Sequence, residues 1–171
     1  MKFIKTLIFS VVALGAVTLS SCTKDDDNDI VASATISASI DGTETTFNKN
    51  VVGTTGSVNG ATFTSIQGSD AAGNTLSVTI TGALTAGKTY VATSGNDDEK
   101  PVILYTTTDN EAYLNADDDV SNAVSVTLSS VSSNNTIQGS FKGKVSTLLV
   151  GNGAVKSKTV TNGKFNVKVN Q

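Results

Sequence analysis

From Ser33 onward, apolar and polar residues alternate one by one, and nothing else in the chain constrains its fold as strongly. The segment "ATISASI" sets Ala34, Ile36, Ala38 and Ile40 on one side and Thr35, Ser37 and Ser39 on the other. Successive side chains of an extended strand point to opposite faces, so such a segment makes a half-buried strand. Asp41-Gly42 follows it, a pair that tolerates the two positive φ values of a type I′ hairpin turn. "TETTFN" returns as the partner strand. "ATFTSIQG" follows Asn59-Gly60, and "SDAAGN" turns into "TLSVTIT", which aligns Leu76, Val78 and Ile80. "KTYVAT" is a further short strand. After the polar loop "SGNDDEK" and Pro101, "VILYTTT" and "EAYLN" form a hairpin around Asp109-Asn110. "AVSVTLSSV" aligns Val124, Val126 and Leu128, and "SSNN" turns into "TIQGSFKGKV". There Ile137, Phe141 and Val145 share a face with Gly139 and Gly143; glycine within a strand marks a bend, a bulge or a close approach. "STLLVGNGAVKS" reads as a longer connection. "KTVTNGKFNVKVN" is the last strand, with Phe165, Val167 and Val169 in register.

No segment carries a helical stripe. About eight to ten short strands, with turn signals roughly every 8–12 residues, predict an all-β fold. The expected architecture is a single antiparallel β-sandwich or flattened β-barrel over residues 33–171. Phe47, Phe63, Phe141, Phe165, Tyr90, Tyr105 and Tyr113 are its expected large core residues, among small β-branched ones.

The first 21 residues differ. Lys2 and Lys5 precede the apolar run "LIFSVVALGAVTL", and small residues follow. This is the order of charge, apolar core and small residues in a secretory signal peptide. The run is shorter than the roughly 20 residues a membrane helix needs. "LSSC" resembles the lipobox of bacterial lipoprotein signal peptides, with Leu19 in the apolar position and Ser20 and Ser21 in the small ones. The resemblance implies cleavage before Cys22, a diacylglyceryl thioether on its sulfur, and acylation of the new amino terminus. Two or three acyl chains hold a protein to a lipid bilayer where one does not. Cys22 is the only cysteine, so it has no disulfide partner within the chain, and no histidine exists to activate it as a nucleophile.

Residues 22–32 form an acidic, turn-prone segment that reads as a flexible tether. "CTKDDDND" resembles the Lys-plus-acidic export signal that follows the lipidated cysteine in surface lipoproteins of the Bacteroidota. Lys24, Asp25, Asp26 and Asp27 match it. This implies an outer-membrane lipoprotein displayed on the cell surface; without export it would face the periplasm. The blocks "ISASIDGTETTF", "TSIQGSDAAGNTLSVTI" and "VSVTLSSVSSNNTIQGSFKGKV…VTNGKFNV" together resemble the small Bacteroidota lipoproteins that carry a single β-rich domain of unknown function. The resemblance covers most of residues 33–169 and implies fold and location, with no activity to carry over.

Composition narrows the chemistry. The chain has no histidine, tryptophan or arginine; its twelve basic residues are all lysine, against fifteen acids. Ser-His-Asp and Cys-His sites and a Cys/His zinc site are therefore excluded. Nucleic acid is not an expected partner, because no cluster of basic residues is interleaved with aromatics. The domain's glutamates are Glu44, Glu99 and Glu111. An enzyme built on loop carboxylates and acting on glycans, with or without calcium, is the alternative to a non-enzymatic binding or structural domain. No organic cofactor is implied. Calcium is the metal that Asp97, Asp98 and Glu99 on one loop and Asp117, Asp118 and Asp119 on another suit, since it takes hard oxygen ligands. The plainer reading is of hydrated loop acids. Tyr90, Tyr105 and Tyr113 suit either a sugar-stacking platform or the core, and the core is preferred. A glycan or a protein is the expected class of ligand.

Overall fold

The computed structural model describes residues 34–92, 100–115, 122–147 and 155–170, all within the unit Ser33–Gln171. These residues form eleven strands: β1 (Thr35–Ile40), β2 (Thr43–Thr46), β3 (Lys49–Val58), β4 (Ala61–Ser69), β5 (Thr75–Thr81), β6 (Thr89–Val91), β7 (Val102–Thr106), β8 (Ala112–Asn115), β9 (Ser125–Val131), β10 (Thr136–Thr147) and β11 (Ser157–Asn170). No α-helix occurs among the described residues. The fold is all-β, as the alternation predicts. It has one strand more than expected, because β3, with glycines at 53 and 56, shows little alternation of its own.

The strands lie in the order β2-β1-β11-β3-β4-β5-β7-β8-β10-β9-β6, and β10 also pairs with β11. Following the pairs from β11 through β3, β4, β5, β7, β8 and β10 leads back to β11, which is the connectivity of a flattened barrel. The two long strands make closure possible. One edge of β11 pairs with β1 over Asn166 to Val160 and then with β3 at Val169 and Asn170. One edge of β10 pairs with β9 from Ile137 to Lys142 and then with β8 from Val145 to Thr147. A closed sheet leaves fewer unpaired edges. The β3–β11 pairing is parallel, with Val169 opposite Gly53, so the sheet is mixed and not purely antiparallel. Hairpin neighbours must run antiparallel, but these two strands are far apart in sequence and meet only through closure.

The inward positions build one core. It includes Ile36, Phe47, Leu76, Val78, Ile103, Leu128, Ile137, Val145 and Val160, all at most 2% exposed. Two glycines make room for two of its phenylalanine rings. A Cβ on Gly139 would lie 2.5 Å from Cζ of Phe165, and one on Gly163 would lie 2.5 Å from Cδ2 of Phe141. The Phe141 and Phe165 rings stack with centroids 6.3 Å apart. Phe63 departs from the expected core: it is half-buried and lies across the backbone of Gly56, whose added Cβ would meet its Cζ at 2.7 Å. Asp41 and Gly42 both have positive φ, 49° and 85°, as do Asn59 and Gly60, at 52° and 82°, in keeping with type I′ turns. The Asn162-Gly163 pair lies within β11, where the register against both β1 and β10 takes an extra residue. Asn162 has φ 52°, so this pair makes a bulge.

Candidate functional site

The residues singled out for anchoring and export, Leu19, Ser20, Ser21, Cys22, Lys24, Asp25, Asp26 and Asp27, lie outside the described residues. So do the calcium candidates Asp97, Asp98, Glu99, Asp117, Asp118 and Asp119. Among the described residues, no three histidine, cysteine or acidic side chains are grouped to hold a metal. The tyrosines take the place preferred for them, in the core, and not that of a sugar platform. Tyr90, Tyr105 and Tyr113 are 2%, 8% and 2% exposed, on inward positions of β6, β7 and β8, and present no face to a sugar. Tyr90 is held at both ends of its hydroxyl: it donates to Ala83 O at 2.7 Å and accepts from Thr85 N–H at 3.0 Å.

The charged groups that do converge sit where the β1–β2 turn, the β7–β8 turn and the start of β11 meet. Oδ1 of Asp41 accepts the Thr159 N–H at 2.8 Å, and its Oδ2 pairs with Lys158 Nζ at 2.9 Å. Lys158 Nζ in turn lies 5.9 Å from the centre of the Tyr113 ring. The Tyr113 hydroxyl donates to Glu111 Oε2 at 2.7 Å, and Glu111 Oε1 pairs with Lys156. Beneath them Tyr105 packs 6.1 Å from Tyr113 and edge-on to Phe47 at 6.3 Å. The ends of three strand connections are thereby tied over one column of aromatic rings.

The protonation equilibria follow from these contacts. The Thr159 N–H, and then Lys158, hold the Asp41 carboxyl below its usual range. Hydrogen bonds from Lys156 and Tyr113 lower that of Glu111. Lys156 and Lys158 are raised by hydrogen bonds to Glu111 and Asp41. Tyr113 is raised by its bond to Glu111, and Tyr105 by burial. Every shift runs away from neutral pH. A general acid or base needs the opposite, a pKa drawn toward the working pH. The cluster is built to keep its charges paired.

A buried carboxylate does similar work nearby. Asp70, 8% exposed, accepts the N–H groups of Gly73 and Asn74 at 2.8 and 2.9 Å and the Asn74 side-chain amide at 2.7 Å. Asn74 Oδ1 accepts the Thr108 N–H at 3.1 Å, joining the β4–β5 and β7–β8 turns. The turn letters "SDAAGN" mark the turn, but the second link depends on strands that meet only in the fold. Compared with protein-family models, curated proteins and solved structures, the chain matches none.

Proposed function

We propose that the chain is a lipoprotein of the outer membrane, anchored through acylated Cys22, exposed at the cell surface, with a β-domain that binds or supports and does not catalyse. The observation that carries the anchor is Leu19-Ser20-Ser21-Cys22 behind an apolar leader, with Cys22 the only cysteine in the chain. The reading also draws on the resemblance of its sequence blocks to small Bacteroidota lipoproteins. Two structural facts favour a non-enzymatic domain. The barrel interior is filled by side chains, so recognition falls to the outer faces and rims. The one convergent charged cluster among the described residues has its pKa values driven away from neutrality.

Metabolic labelling with a palmitate analogue tests the anchor. The chain should take up label and fractionate with the outer membrane, and Cys22→Ala should take up none. Labelling that persists in Cys22→Ala, or fails in the unaltered chain, overturns the assignment. Protease treatment of intact cells tests display. It should remove the domain, and Asp25→Ala, Asp26→Ala and Asp27→Ala together should protect it; unchanged exposure in that variant refutes the export role of the acidic run.

A further inference from the structure

Charge is divided along this chain. Residues 33–119 hold eleven acids and three lysines, whereas residues 120–171 hold six lysines and no acid. The fold turns that division into a surface. Of the six lysines, Lys156 and Lys158 are engaged by Glu111 and Asp41. Lys142 on β10 and Lys164 and Lys168 on β11 occupy positions that alternate with the core residues Phe141, Val145, Phe165, Val167 and Val169 and so lie on the outer face. Lys142, Lys164 and Lys168 are exposed, and no carboxylate among the described residues is paired with them.

The ladder register sets their spacing. Lys168 stands opposite Thr136 and Lys164 opposite Ser140, with Lys142 farther along β10. Steps of four and two residues, at about 3.3 Å each, give gaps of roughly 13 and 7 Å along the strands and a stripe about 20 Å long. Gln138, Asn166, Ser140 and Thr127 fill the face between and beside the lysines. On the β1 side of the stripe the described acids are Asp41, bonded to Thr159 and paired with Lys158, and Glu44 on the far strand β2.

We propose that this stripe binds a linear acidic polysaccharide laid along β10 and β11. The lysines are spaced like acidic groups separated by a sugar ring or two, and the intervening hydroxyls and amides can bond to sugar hydroxyls. The composition of the face selects against other polyanions. A membrane surface requires apolar side chains to insert beside the cations. Single-stranded nucleic acid requires aromatic platforms for its bases. A protein partner requires a buried apolar or aromatic centre. None of these is present between the lysines. Attraction to the stripe is electrostatic and lies at the surface, so salt screens it. The proposal deepens the binding reading of the domain and rests on it, but is independent of the anchor.

The test uses the full chain in a non-ionic detergent, with polygalacturonate, neutral dextran, and vesicles of phosphatidylcholine and phosphatidylglycerol in equal parts as probes. Polygalacturonate should bind at low ionic strength, weaken as salt rises, and bind at least tenfold more weakly to the triple variant Lys142→Gln, Lys164→Gln, Lys168→Gln. Lys49→Gln, a charge lost on β3, should leave binding unchanged, and the triple variant should melt as the parent does. Equal binding by the triple variant overturns the proposal, as does no binding of polygalacturonate. Vesicle binding that the triple variant loses, with polygalacturonate ignored, assigns the stripe to lipid and also overturns it. The wider binding reading is judged separately, by an array that includes neutral glycans.

Discussion

The barrel has two polar outer faces, and they treat their polar groups in opposite ways. On β4 and β5, Ser65, Ser77 and Thr79 point away from the core that Ile66, Val78 and Ile80 enter. Their hydroxyls are bonded to one another: Thr79 donates to Ser65 Oγ at 3.0 Å, and Ser65 and Ser77 share a bond of 3.2 Å. Ser77 and Thr79 are only 7% and 6% exposed. On β10 and β11 the outward positions carry the exposed lysines Lys142, Lys164 and Lys168. The first face has satisfied its bonding capacity within the sheet and has little left to offer a partner. The second has not, and its charges are of one sign. A polar strand face therefore says little about function until the partners of its polar atoms are known.

If the two faces differ as described, both must still rest on one inner layer, and the largest effect should come from there. Phe165→Ala removes the ring that occupies the space above Gly139 and stacks on Phe141. Truncating a buried phenylalanine costs about 3–5 kcal/mol, so chemical denaturation should show a loss of that size. A loss below about 1 kcal/mol would mean that the two rings do not hold β10 against β11.

The hydroxyl face should give the next largest effect. Ser65→Ala leaves the Ser77 and Thr79 hydroxyls buried without their shared partner, at a cost of about 1–2 kcal/mol. The combination Ser65→Ala, Ser77→Ala and Thr79→Val removes the polar atoms together and should recover most of that loss, since unmade bonds are costlier than absent ones. If the combination is instead much worse than the single change, the hydroxyl network is itself a source of stability.

The difference between the faces was only partly legible in the sequence. The period-two pattern gives the strands and which residues turn inward, because pleating converts sequence parity directly into a face. It places Ile137, Phe141 and Val145 together and marks Gly139 and Gly143 for a bend, a bulge or a close approach, and a close approach is found at both. It does not reveal β3, where Gly53 and Gly56 leave no apolar alternation and closure against β11 supplies the partner. It sets Asn162-Gly163 inside the last strand, as found, but does not show the bulge there, since asparagine takes the same positive φ in the Asn59-Gly60 turn. The charged cluster was hidden for a similar reason. Asp41 and Lys158 are 117 residues apart in sequence, and only the pairing of β1 with β11 brings them together. The lysine stripe had a visible signal, the acid-free segment from residue 120 onward, but its meaning depends on β10 and β11 being neighbours.

The rim between the two faces should respond to pH. Asp41 has a carboxyl pKa below its ordinary 3.8, so its contribution is present above that value and is lost as pH falls through the lower, folded one. Glu111 acts in the same direction. Lys158 is raised above 10.5, so its contribution is complete below that value and disappears as pH rises through the higher, folded one. Melting temperature should thus be flat from about pH 5 to 9 and fall on the acid side below about pH 4. Asp41→Asn keeps a residue suited to positive φ and an acceptor for Thr159, and loses only the ion pair. At this solvent exposure the cost should be a few tenths of a kcal/mol and at most about 1. A shallower acid limb in Asp41→Asn than in the parent would locate part of the pH dependence at this rim; identical limbs would remove it.

The smallest effect on stability belongs to the lysine face, and that smallness is the sharpest contrast with β4 and β5. Lys142, Lys164 and Lys168 are exposed and pair with no acid among the described residues, so nothing in the folded state is lost when they become glutamine. Neutralising like charges on adjacent strands relieves mutual repulsion as well. The triple variant should therefore match the parent within about 0.5 kcal/mol. The rise in melting temperature, if one is measurable, should shrink as salt screens the repulsion. A loss of 2 kcal/mol or more, as an order of magnitude, would mean that the lysines hold the fold together in the way the serines and threonines do. The two faces would then differ in chemistry but not in role, and the stripe would have no claim on a partner.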